Sequence, residues 1–170
     1  AKLNNLKQAA KTINFLTEHG ISSYGELESK LTALSAWRDT AHAEIKRIES
    51  RSAELTLVMK HAGTYRQLKP LYDRYRKSND KEKFLRGHES EIILFEAAAR
   101  ELKRLGAVPL PTTESMKTEL ANLSAEKERL LAEYKTARTE AQEYETVKQN
   151  VDALLAVPKE QEQQRRHELE

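Results

Sequence analysis

The spacing of apolar residues between Met116 and Leu155 leaves few folds open to this chain. Alternate steps of four and three from Met116 reach Leu120, Leu123, Lys127, Leu130, Tyr134, Ala137, Ala141, Tyr144, Lys148, Val151 and Leu155, apolar or aromatic everywhere except at the two lysines. That is the seam of a coiled-coil helix, about 60 Å long at about 1.5 Å per residue. A single helix cannot bury such a stripe, and Leu27, Leu31, Leu34, Ala41, Ile45, Ile48, Leu55, Met59 and Ala62 offer a second of similar length. The stripes are expected to pair antiparallel within the chain, Leu27 and Leu31 near Val151 and Leu155, Met59 and Ala62 near Met116 and Leu120. Pairing between two chains is the alternative.

Composition agrees with long helices rather than a thick core: 38% of the 170 residues are hydrophobic and 33% charged. The net charge of +2, from 29 basic and 27 acidic residues, excludes an overall polyelectrolyte, so any electrostatic partner must be read from local patches. Without cysteine there are no disulfides, thiolate metal sites or cysteine nucleophiles, which suits the expected cytoplasmic location. No apolar run reaches the roughly 18 residues of a membrane span, and no signal-peptide pattern opens the chain. The start at Ala1 and the closing Leu169-Glu170, which reads as a cloning remnant, suggest a piece of something larger.

The expected fold is all-α, with long antiparallel coiled-coil helices, a short helical head and an N-terminal helical hairpin in a single elongated domain over residues 1–157. The first helix, within 1–20, carries Leu3, Leu6, Ala10, Ile13 and Leu16 on one face, and Gly20 stands where a C-terminal cap wants positive φ. Ser23 and Glu26 form a capping-box pattern. The stalk helices are expected at 24–62, with Trp37 displacing Arg38 from the seam, and at 113–156, capped by Thr112 or Thr113. In the head, 63–112, Pro70 disfavours helical geometry at Lys69 and suits the first turn of a new short helix to Lys77. A further helix runs from Phe84 to Leu105, with a bend possible at Gly87. Residues 158–170 form a polar tail with little to bury, expected to be disordered. Period-two alternation is absent, so no strand is expected.

The phrases Asn5-Leu6-Lys7-Gln8-Ala9-Ala10, Phe15-Leu16-Thr17-Glu18-His19-Gly20-Ile21, Lys69-Pro70-Leu71-Tyr72-Asp73-Arg74-Tyr75, Phe84 through Glu96, and Lys148-Gln149-Asn150-Val151-Asp152-Ala153-Leu154-Leu155 follow one another along the chain. In that order they resemble the region downstream of the nuclease domain in relaxases, the mobilisation proteins of bacterial conjugative elements. The resemblance implies a parent that nicks the transfer-origin strand with a tyrosine and a metal held by histidines, and it places that machinery upstream of this region. None of it carries over: His19, His42, His61, His88 and His167 show no pair at ligand spacing. The expectation is a piece without catalytic residues, metal or cofactor.

Of the six tyrosines, Tyr134 and Tyr144 sit on the seam, Tyr24 opens a helix, and Tyr65, Tyr72 and Tyr75 crowd the Pro70 joint, all places where aromatics pack. Glu89 and Glu91 beside His88 read as a solvated helix face, because acid–base catalysis needs groups that converge in a pocket. Lys127 and Lys148 read as structural, by snorkelling or by fixing register. The local charge surplus lies between Tyr65 and Arg86. There Arg66, Lys69, Arg74, Arg76, Lys77, Lys81, Lys83 and Arg86 face three acids, an excess of five in a chain whose total is +2. Those cations could contact phosphates, and Tyr72 and Tyr75 could stack on bases; the competing reading is a solvated tip. Expected partners are therefore DNA at the basic head, other transfer-machinery proteins or the parent nuclease domain, with no membrane and no small-molecule ligand. A coiled-coil adaptor that binds only protein is the alternative.

Overall fold

The computed structural model describes the backbone of residues 2–167 and the side chains of 4–156 and 162–166. Four helices make up the described chain: α1 (Lys2–Glu18), α2 (Tyr24–Lys77), α3 (Lys81–Arg104) and α4 (Thr113–His167). The expected all-α class holds. Two compact units divide it, residues 1–44 with 130–170, and residues 45–129.

In the first unit, α1 ends where the sequence indicated. Gly20 takes φ +65°, the Ile21 amide donates to the Leu16 carbonyl at 2.9 Å, and the Gly20 amide donates to that of Thr17 at 3.2 Å. These paired bonds close a helix on a left-handed residue. Ser23 Oγ then accepts from the Glu26 amide at 3.2 Å, while the Glu26 carboxylate reaches one residue further back than a capping box requires, to the Ser22 amide at 2.7 Å. That bond holds the Glu26 carboxyl below the usual carboxylate range.

Leu27, Tyr144 and Val147 form the buried centre of this unit, with Phe15, Leu16, Ile21, Leu31, Leu34 and Val151 packed around it. Residues 144–151 of α4 thus run antiparallel to 27–34 of α2, as the stripes demanded. Leu155 does not join them and is exposed. At the seam's last heptads Val147 is buried instead of Lys148, whose ammonium lies 3.2 Å from Asp152 and 5.5 Å from the Tyr24 ring centroid. Its stem packs while its charge stays at the surface.

Two expectations for this unit need correction. The inward face of α1 is Ala9, Thr12, Phe15 and Leu16, whereas Leu6 and Ile13 point outward at 69% and 58% exposure. The reason is a specific pairing: Phe15 meets Tyr144 edge-to-face at 5.1 Å, and Thr12, only 3% exposed, is held by Gln8 and Asn150. An aromatic contact and a satisfied polar layer outweigh two aliphatic side chains left in water. Likewise Trp37 does not displace Arg38. Trp37 is exposed, and strict heptad spacing keeps half-buried Arg38 on the seam, bonded to Asp39 at 2.9 Å.

The second unit buries Leu55, Val58 and Ala62 of α2 against Leu102 of α3, Ala107 and Met116, with Met59, Leu105, Leu110 and Leu120 alongside. The Met59 and Ala62 end of α2 meets the Met116 and Leu120 end of α4, again antiparallel. Ion pairs join these helices at Arg51–Glu119 (2.7 Å) and Lys127–Glu49 (3.1 Å). Half-exposed pairs add little stability, and the seam lysine Lys127 reaches out of the seam to Glu49. Its hydrogen bond holds the Glu49 carboxyl below the usual range.

The expected break before Pro70 is absent: α2 runs unbroken to Lys77 with Pro70 inside it. Proline in a helix interior removes the bond to the carbonyl four residues back and costs about 3 kcal/mol. Packing on both sides of Pro70 offsets that. Phe95 of α3 stacks on Tyr65 at 4.8 Å and on Tyr72 at 4.2 Å, pinning the turns before and after the proline to one buried ring. Because the helix already forms there, Pro70→Ala is expected to raise stability by about 1–3 kcal/mol in urea denaturation; a loss would show that the proline positions α2.

Asp80 caps α3 by accepting from the Lys83 amide at 3.0 Å, and the bend anticipated at Gly87 falls at His88, whose φ is −141°. Gly106, at φ +68°, ends α3 with the Ala107 amide donating to Leu102 at 2.9 Å. Thr112 caps α4 through the Ser115 amide at 3.1 Å. Arg66 fastens this connection, donating to Thr113 Oγ1 at 2.7 Å and to the Pro111 carbonyl. At its far end α4 continues through Pro158 to His167 where the polar tail was expected to leave the helix, its Lys, Glu, Gln and Arg being good helix formers. Residues 168–170 of that tail lie outside the described residues.

Candidate nucleic-acid interface

All eight cations of the charge surplus lie in the second unit, and the unbroken α2 sets the arrangement of those up to Lys77. At about 100° per residue, Arg66, Lys69, Arg76 and Lys77 fall within roughly one third of the helix circumference, beside the sector that carries Tyr65, Tyr72 and Tyr75. The continuous helix through Pro70 is what sets them on one side of α2.

Their availability differs. Arg66 is spent on the Thr113 and Pro111 oxygens, Lys69 is bonded to Asp73 at 2.9 Å, which raises its pKa, and Arg86 pairs with Glu82 at 3.3 Å. Arg74 lies over the Phe84 ring, 5.9 Å from its centroid. Arg76, Lys77, Lys81 and Lys83 have exposed side chains with no ion pair among the described residues. They flank the turn 78–80 between α2 and α3, beside a shallow depression of about 310 Å³ lined by Ser78, Asp80, Lys83, Phe84, Gly87 and His88.

Helix electrostatics separates these four. Arg76 and Lys77 occupy the last turn of α2, where cations complement the negative end of the helix dipole and need no functional explanation. Lys81 and Lys83 occupy the first turn of α3, where stability favours acids and each cation costs about 0.3–1 kcal/mol. Fold stability therefore does not account for them. A phosphate at this turn would meet four cations without ion pairs, beside the Asp80 carboxylate that caps α3.

The aromatic half of the expected site is used otherwise. Tyr72 stacks on Phe95, and Tyr75 lies 5.9 Å from Tyr72 and 6.1 Å from Phe84, both half-buried. Their rings take part in the α2–α3 packing. Nor do the described residues bring together three His, Cys, Asp or Glu side chains that could hold a metal ion. His88 Nδ1 contacts Glu91 Oε2 at 2.8 Å on one helix, without a third partner.

Sequence reading missed a groove in the first unit. Between α1 and α4 it encloses about 810 Å³, with Lys7, Lys11, Phe15 and His19 on one wall and Glu143 and Asn150 on the other. The signal lay in Lys7, Gln8, Lys11, Thr12, Phe15 and His19, which recur at helical spacing, but the Leu6–Ile13 stripe drew the assignment of the inner face.

Among the described residues no helix is long and apolar enough to cross a membrane. The chain matches no protein-family model, no curated protein and no solved structure.

Proposed function

We propose that this chain is the non-catalytic helical region of a relaxase-like mobilisation protein, acting in the cytoplasm, and that it holds DNA at the turn between α2 and α3. The supporting observation is the placement of Arg76, Lys77, Lys81 and Lys83, unpaired around one three-residue turn, two of them at a helix end that repels cations. Binding is electrostatic and sequence-tolerant, since the cations reach phosphates and the neighbouring tyrosines are committed to packing. Titration of a labelled duplex at low ionic strength, where such contacts are strongest, is expected to give saturable binding. Absence of binding would remove DNA contact from this turn.

No bond is broken by this piece. A labelled single strand incubated with the chain and magnesium or manganese is expected to stay intact. Specific cleavage that disappears when one tyrosine is replaced would contradict the reading.

A second reading, an adaptor that binds a protein of the transfer machinery or the parent nuclease domain, is favoured by Leu6 and Ile13 on the outer face of α1 and by Ile93 and Leu94 on α3, each more than half exposed. Exposed apolar side chains are what a partner helix or groove engages.

A further inference from the structure

We infer that the groove between α1 and α4 binds a short single strand of nucleic acid, at a site separate from the α2–α3 turn. Lys7 and Lys11 stand one helical turn apart on its α1 wall, about 6 Å along the axis, and neither makes a hydrogen bond or ion pair among the described residues. They form a short cationic track matching the repeat of phosphates along a strand.

The floor is polar and preformed. Gln8 Nε2 donates to Asn150 Oδ1 at 2.9 Å, Asn150 Nδ2 donates to Thr12 Oγ1 at 3.3 Å, and Thr12 Oγ1 donates to the Gln8 carbonyl at 2.9 Å. This chain uses one amide hydrogen of Gln8 and one of Asn150. Each keeps a second N–H, and Gln8 keeps its side-chain carbonyl, a donor and acceptor set able to meet base edges.

At the other end His19 stacks on Phe15 with centroids 3.9 Å apart, and its Nδ1–H donates to the Phe15 carbonyl at 2.8 Å. The outer face of this exposed, fixed imidazole can take a base in continuation of the stack. Glu143 on the opposite wall repels phosphate and accepts from base amino groups, so a strand lies with its backbone along α1 and its bases toward α4.

A protein helix is the competing occupant, since the groove also presents Phe15 and Val147; the unpaired Lys7 and Lys11 along a polar layer favour the strand. The span from Asn4 to His19 is about 22 Å, enough for a few nucleotides.

The test is residue-resolved. Titrating the ¹⁵N-labelled chain with a short oligothymidine at low salt is expected to shift the amides of Lys7, Lys11, Phe15 and His19 and the side-chain amide of Asn150. The double variant Lys7→Glu/Lys11→Glu alters exposed, unpartnered side chains, so its helical circular dichroism should be unchanged. It should lose those shifts and weaken strand binding about tenfold or more. Shifts confined to residues 76–83, or no shift at all, would overturn the groove; shifts in the groove would support it, while the turn is tested separately with a duplex. A polyglutamate peptide producing the same groove shifts at equal affinity would overturn the assignment to nucleic acid in favour of an acidic protein segment.

Discussion

Replacing Phe95 with alanine is expected to lower the stability of the chain by about 3–5 kcal/mol, as for a large ring removed from a closed core. Phe95 is 6% exposed and stacks on both Tyr65 and Tyr72. Each aromatic pair adds about 0.5–1.5 kcal/mol beyond area burial, so the effect belongs at the upper part of the range. A second consequence is local. With Phe95 gone, nothing comparable holds the turns on either side of Pro70, and amide hydrogen exchange from about residue 66 to Lys77 should accelerate more than exchange near Leu55. Phe95→Leu keeps most of the volume and loses the stacking, and should cost about half as much. A loss under about 1 kcal/mol for Phe95→Ala, or uniform acceleration along α2, would show that the helix crosses Pro70 for another reason.

That ring also marks the boundary of what the sequence made legible. The seam from Met116 to Val151 and its partner from Leu27 to Ala62 could be read because heptad spacing depends on one helix at a time, and the Gly20 cap because positive φ is a local demand. Pro70 could not be judged locally. A rule about the residue before proline predicts a break, and only the distant Phe95 overrules it. The same limit governs α1, where the Leu6–Ile13 stripe was conspicuous in the sequence but the inner face is chosen by Tyr144 and Asn150, more than a hundred residues away. At the candidate interface, the charge surplus was visible as a sum; which cations were free was not. Arg66 and Arg74 are engaged by Pro111, Thr113 and Phe84, contacts that exist only once the second unit has folded.

Reversing the four free cations, as Arg76→Glu, Lys77→Glu, Lys81→Glu and Lys83→Glu together, is expected to abolish duplex binding while leaving the fold intact. Acids at the end of α2 oppose the helix dipole and acids at the start of α3 favour it, each by about 0.3–1 kcal/mol, so the changes largely cancel. Lys81→Glu with Lys83→Glu alone should stabilise the chain by about 1 kcal/mol and still weaken binding, separating loss of contact from loss of structure. Neither pair touches the buried residues of the second unit.

The direct measurement is fluorescence anisotropy of a labelled duplex titrated with the unmodified and the fully reversed chain over a series of salt concentrations. Four phosphate contacts release counterions with a log–log slope of about −3.6 for duplex DNA, so the unmodified chain should show a slope near that value and the reversed chain no binding. Equal affinity of the two chains, or failure of the unmodified chain to bind at the lowest salt, would contradict DNA contact at this turn and leave the protein-adaptor reading in its place.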